Sequence, residues 1–183
     1  MTVPGSTGRV RPAQSRRLHL VMRDASMIEG SIQIGEDQSL VHYFNSRRGG
    51  WMSLTNARRP KIDEPAGHMI LQSDQIIMAS APDANLHVMA PPGVGTEERA
   101  IEVVLIGGKT LRGHIAAAKQ QRLSDYVASS GRFIGLTGAS LMPDDRPLGD
   151  VALHSGSVVI FRDLRAAAPI DEGGSMPESS AGM

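Results

Sequence analysis

The second half of this chain reads as a diverged copy of its first half, and few sequence features restrict a fold more. Residues Leu18 to Arg48 match Ile101 to Gly131 at one constant offset, and Trp51 to Met78 then match Phe133 to Ile160 at an offset one residue shorter. Gly30, Ile32, Leu40 and Tyr43 recur as Gly113, Ile115, Leu123 and Tyr126. After the single gap, Leu54-Thr55-x-Ala57 recurs as Leu136-Thr137-x-Ala139, Pro65-x-Gly67 as Pro147-x-Gly149, and Leu71-x-Ser73 as Leu153-x-Ser155. About fifteen of roughly sixty aligned pairs are identical, and most others exchange one apolar residue for another, as repeated structural units do. Units of roughly 65 residues must therefore adopt the fold twice, and a unit that small buries little surface alone. The two are expected to pack together or onto a partner.

Composition narrows the chemistry. Aromatic residues make up 3% of the chain, so the core has to be built from Val, Ile, Leu, Met and Ala. Tyr43, Trp51, Tyr126 and Phe133 are its few large pieces and its expected structural anchors. Nineteen basic residues balance nineteen acidic ones, which leaves no global field to draw the protein to nucleic acid or a membrane. Cysteine is absent, which excludes disulfides, thiolate nucleophiles and zinc-thiolate sites and suits a reducing compartment. No apolar run approaches the ~18 residues that span a bilayer. The first residues, MTVPGSTGRVRPAQSRR, carry arginines without the apolar stretch of a secretory signal. A soluble, bacterial-type cytoplasmic protein is expected.

Residues 1–16 and 165–183 are rich in Pro, Gly, Ser and Ala without apolar periodicity and read as disordered tails. Between them lie a first repeat at 17–80, a Pro/Gly linker at 81–98 and a second repeat at 99–164. Within the linker, Leu86-x-Val88 has the alternation of a short edge strand. Inside the second repeat, Ile101 to Leu105 and Thr110 to Ile115 straddle Gly107-Gly108, which predicts a tight hairpin, because both turn residues can take positive φ. Leu123, Tyr126 and Val127, like Leu40, Tyr43 and Phe44, recur at i, i+3, i+4 and predict one face of a short helix. Ser124 and Asp125 stand near its start, where their side chains can satisfy free amides. Strands are predicted at Phe133 to Leu141 and Trp51 to Arg58, followed by a closing pair at Val151 to Leu153 and Ser157 to Phe161. Each unit thus reads ββ-α-βββ. The expected class is mainly β with one short helix per repeat, as two similar small β-barrel-like domains in tandem with disordered termini.

The stretches LIGGKTLRGHI, LSDYV and RPLGDVALHSGSVVIF are similar to the Sm-like small-barrel pattern, in which a glycine-marked hairpin is followed by closing strands after a Leu-Gly turn. Both copies also resemble an uncharacterised bacterial domain type with an Arg-Leu-Ser-Asp-Tyr helix and an aromatic strand. The resemblance implies a small barrel able to hold RNA through an Asn and an Arg. Those two positions fall on or near Leu123 and His154 in the second copy, and Leu40 and Gln72 in the first, so the family's base pocket does not transfer.

Other motifs are tested against the context they need. Gly107-Gly108-Lys109-Thr110 looks like the end of a phosphate loop, but the glycine required earlier is Val103 and a strand follows where a helix is needed. No Gly-x-Ser-x-Gly, His-Glu-x-x-His or EF-hand pattern occurs. His19, His42 and His68 align with Glu102, Asp125 and Asp150, side chains that suit a divalent metal if they converge, and that polar surface slots also hold routinely. In the first copy, His42 to Trp51 interleaves aromatics with Arg47 and Arg48, and Arg58, Arg59 and Lys61 follow. The second copy has Ser130, Gly131, Ser140 and Leu141 where those arginines stand, so the charge is dispensable to the fold and forms the candidate anion- or nucleic-acid-binding set. Arg9, Arg11, Arg16 and Arg17 could extend that face.

The leading expectation is a non-enzymatic adaptor or assembly protein that binds another macromolecule, foremost a protein, through sheet edges, with self-association open as well. The alternative is an RNA-binding post-transcriptional regulator. A metal-dependent enzyme with a His/carboxylate centre ranks last. No cofactor, metal or membrane association is expected.

Overall fold

The structure, a computed structural model, describes residues 13–47, 50–60, 62, 66–82, 86–91 and 93–164. The segments read as disordered tails lie outside these residues, apart from residues 13–16. Those four belong to the first strand, which therefore starts earlier than expected.

Two runs of elements follow one another in the same order. The first contains β1 (Ala13–Met22), β2 (Met27–Gly35), α1 (Leu40–Ser46), β3 (Trp51–Arg58), β4 (Gly67–Gln72), a 3-10 turn (Ser73–Gln75) and β5 (Ile76–Ser80). The second contains β6 (Thr96–Leu105), β7 (Thr110–Ala118), α2 (Leu123–Ser129), β8 (Phe133–Leu141), β9 (Arg146–His154), a 3-10 turn (Ser155–Ser157) and β10 (Val158–Asp163). The β6–β7 hairpin turns at Gly107 and Gly108, with φ of 87° and 78°, values that cost glycine nothing. Ser39 caps α1 by accepting from the His42 amide. α2 lacks such a cap: it begins after Arg122, so Ser124 and Asp125 lie inside the helix and do not cap it.

All ten strands join one open antiparallel sheet in the order β10-β6-β7-β8-β9-β5-β1-β2-β3-β4. The predicted closing pair does not form. The 3-10 turn sends β10 away from β9 to pair with β6, and in the same way it sends β5 away from β4 to pair with β1. β9 pairs with β5 instead, through Met78–Leu153, Ala79–Ala152 and Ser80–Val151. The stretch read as a linker is partly structured. β6 begins at Thr96, and Leu86 and Val88 are buried without forming a strand, while the His87 and Val88 carbonyls accept from the Leu40 and Val41 amides.

The apolar residues form two clusters that share members across the chain. Phe133 and Ala152 of the second run belong to the cluster around Leu18, Leu20, Phe44 and Met52. Ile77 of the first run belongs to the cluster around Ile101, Val103, Leu111 and Leu153. Burying residues of one run in the core of the other couples the two, since neither cluster is complete without its neighbour.

Candidate functional site

Two places concentrate unusual chemistry: the seam where β9 meets β5, and the two outer edges of the sheet. At the seam, Phe133 stacks on Phe44 with ring centroids 4.3 Å apart, and His154 meets the Phe133 ring edge-on at 5.1 Å. Asn45 of α1 clasps the backbone of Phe133, donating from Nδ2 to its carbonyl at 2.9 Å and accepting its amide on Oδ1 at 2.8 Å. A side-chain amide thereby imitates a strand neighbour, which satisfies the end of β8 and fixes α1 against it. Gly135 leaves room for Val41 and Met89 to lie on the strand.

A polar group borders this packing. Arg132 donates to the Asp74 carboxylate at 3.2 Å and to the Arg47 carbonyl at 2.9 Å. Arg23 bridges the runs by donating to the carbonyls of Asp74 and Gly156. His154 Nε2 lies 3.4 Å from Asp74 Oδ1, outside hydrogen-bond geometry, so both ring nitrogens are buried without a bonding partner. Burial pushes the His154 imidazole below its ordinary value, opposed by Asp74 and reinforced by Arg23 and Arg132.

The outer edges differ in character. Among the described residues β4 and β10 each have a single strand neighbour, and each shows large apolar side chains to solvent: Ile70 is 64% exposed on β4, and Val159 and Ile160 are 63% and 52% exposed on β10. A groove of about 450 Å³ runs beside β4, lined by Met22, Ile28, Arg59, Met69, Ile70 and Leu71 among others.

Of the expected anchors, Tyr43 and Phe133 are buried and Tyr126 is half-buried against the second cluster. Trp51 is a correction. It is 56% exposed although it matches Phe133, which is 1% exposed, because the α1 packing that covers Phe133 has no counterpart over Trp51 among the described residues. The candidate cations are not gathered on one face. Arg47 lies over the Tyr43 ring at 4.5 Å, at the α1 end of β3. At the other end of β3, Arg58 is held by Glu29 at 2.8 Å. Arg48 and Lys61 lie outside the described residues.

Among the described residues no three His, Asp or Glu side chains gather as metal ligands would. His19 stands across from Glu29 on β1–β2, as Glu102 stands across from Arg112 on β6–β7, so that matched slot sets a carboxylate across from a nitrogen-bearing side chain in both runs, with the two swapped between strands. His68 bonds Ser53 at 2.6 Å, and Asp150 accepts from the Gly138 amide. Among the described residues no helix is long and apolar enough to cross a membrane. No protein-family model matches the chain, and neither the curated proteins nor the solved structures contain a match.

His154, Asp74, Asn45 and Arg132 form no motif in the sequence that would mark them as one group. The signal available for them was divergence: Gln72, Gly156, Ala128 and Gly50 stand at their matched positions, so this polar group occurs at one place only.

Proposed function

We propose that this protein is a non-enzymatic, macromolecule-binding adaptor or assembly protein. In this reading two Sm-like, small-β-barrel units stand in tandem, and a partner protein's strand adds to the free edge of β4 or β10. The barrel-like reading is supported by connectivity. Gln72 and Ile76 are joined by three residues that reach at most ~14 Å, whereas β4 and β5 stand four strand spacings apart, ~19 Å in a flat sheet. The β5-β1-β2-β3-β4 unit must curl, and the same arithmetic applies to β10-β6-β7-β8-β9 across Ser155–Ser157.

The observation that carries the function is the state of the edges. Exposed strand edges are usually blunted by charge, proline or bulges, because their unpaired amides and carbonyls recruit other strands. Here β4 exposes Ile70, and β10, despite a register shift at Val159 and the charges of Arg162 and Asp163 at its end, exposes Val159 and Ile160, the arrangement that strand addition uses: backbone bonds for affinity, side chains for selection. RNA tracking by the first-run arginines has less support, since Glu29 neutralises Arg58 and β3 separates it from Arg47.

The test is capture of partners from the native cell by wild-type protein, by Ile70→Lys, by Val159→Lys, and by Val94→Lys as an exposed control outside both edge strands. The reading predicts a partner retained by wild type and the control and lost with Ile70→Lys or Val159→Lys. Partners retained equally by all variants would reject it.

A further inference from the structure

We propose that the chain assembles head to tail with further copies of itself, β10 of one copy adding to β4 of the next as β5 adds to β9 within the chain. This rests on the tandem-unit reading above and names its partner. By sequence match β4 corresponds to β9, and β10 to β5. The inner pairs Met78–Leu153, Ala79–Ala152 and Ser80–Val151 therefore translate into Ile160–Leu71, Phe161–Ile70 and Arg162–Met69 between copies. No like charges oppose one another in that register.

Burial supports the same match. The inner seam buries Phe133, Ala152 and Ile77, and the residues standing at their matched positions are the exposed Trp51, Ile70 and Val159. What is core inside the chain is open surface at its ends. The packing partners compensate as well: the stacked Phe44–Phe133 pair becomes Val127 against Trp51, and Val41 over Gly135 becomes Ser124 over Ser53. In each case one member shrinks as the other grows, which is how interiors keep their volume when residues change. α2 has no buried residue whereas α1 has three, as expected of a helix whose seam-facing side awaits a neighbour.

Two inner contacts do not carry over. Ala128 replaces Asn45, and Gly50 and Gly156 replace the Arg132–Asp74 pair. The joint between copies is thus weaker than the covalently tethered inner seam and forms as concentration rises. It joins two different surfaces, so one joint leaves a free β4 at one end and a free β10 at the other, and growth continues until a ring closes or a filament extends.

Sedimentation of the full chain over a concentration series tests this. The mass should climb from the 19.5 kDa of one chain in whole-chain steps. Ile70→Lys and Val159→Lys, each at an exposed edge position, should each remain single chains, with Ile160→Lys as a second β10 variant should Val159→Lys melt early. Mixed in equal amounts, Ile70→Lys supplies an intact β10 and Val159→Lys an intact β4, so the mixture should stop at two chains. Wild type remaining a single chain at every concentration, single-edge variants that assemble like wild type, or a mixture no heavier than its parts would each overturn the proposal. A single-chain protein that still captures a foreign partner through Ile70 rejects self-assembly alone; loss of both rejects both readings.

Discussion

Burial governs the His154 imidazole more than any neighbouring charge, and that has a consequence for stability. Its folded value lies below its ordinary one, so between the two the unfolded chain binds more protons than the folded one, and stability falls as pH drops from about 6.5. Below the folded value the loss levels off. Gln72 stands at the matched position, which shows a neutral amide at that point of the fold. His154→Gln should therefore remove this component: denaturant unfolding of wild type and variant should differ in their dependence on pH between about 6.5 and more acid values, and agree in slope above it. Parallel curves through the acid range would mean that His154 titrates freely. The same residue ties the seam together, because its ring packs on Phe133, whose backbone Asn45 clasps.

At the scale of elements, bends are set by small residues at strand crossings. Gly30 and Gly113 sit where β2 meets β3 and where β7 meets β8, each at a register shift. A Cβ at Gly113 would stand 2.9 Å from the Thr137 carbonyl oxygen and 2.7 Å from Leu136 Cγ, and backbone cannot step aside as a flexible side chain can. Gly113→Val should then cost about 1–3 kcal/mol or more in denaturant unfolding; a change within about 0.5 kcal/mol, the usual range for surface positions, would mean the strands cross less closely. Strands Trp51–Arg58 and Phe133–Leu141, the Gly107-Gly108 hairpin and both helices were legible because each leaves a local period or a turn residue. The partner of β9 was not, since pairing across so long a separation leaves no local trace, and alternation is satisfied by any neighbour. The alternation of Leu86 and Val88 was legible as a short edge strand, but the two are buried without forming one, because the backbone there bonds the first amides of α1 rather than a strand.

Over the whole molecule, one relation sets the order of the sheet: the fourth strand of the second run lies beside the fifth strand of the first. It occurs once within the chain, at β9 and β5, and the sheet ends in the two elements that would repeat it. The repeated sequence pattern made the matched positions visible, but equating Trp51 with Phe133 compared side chains and ignored what covers them. That mismatch supplies a probe, since Trp51 is the chain's single tryptophan and sits beside the β4 edge. Its fluorescence across a dilution series is the most direct measurement of whether the outer edges are binding surfaces. Dilute protein should show the emission and acrylamide quenching of a solvent-exposed indole. As concentration rises, emission should shift to the blue and quenching should fall, with the same midpoint as the mass, while Ile70→Lys stays unchanged throughout. Emission that remains solvent-exposed at every concentration, or that is already buried in single chains, would contradict the account.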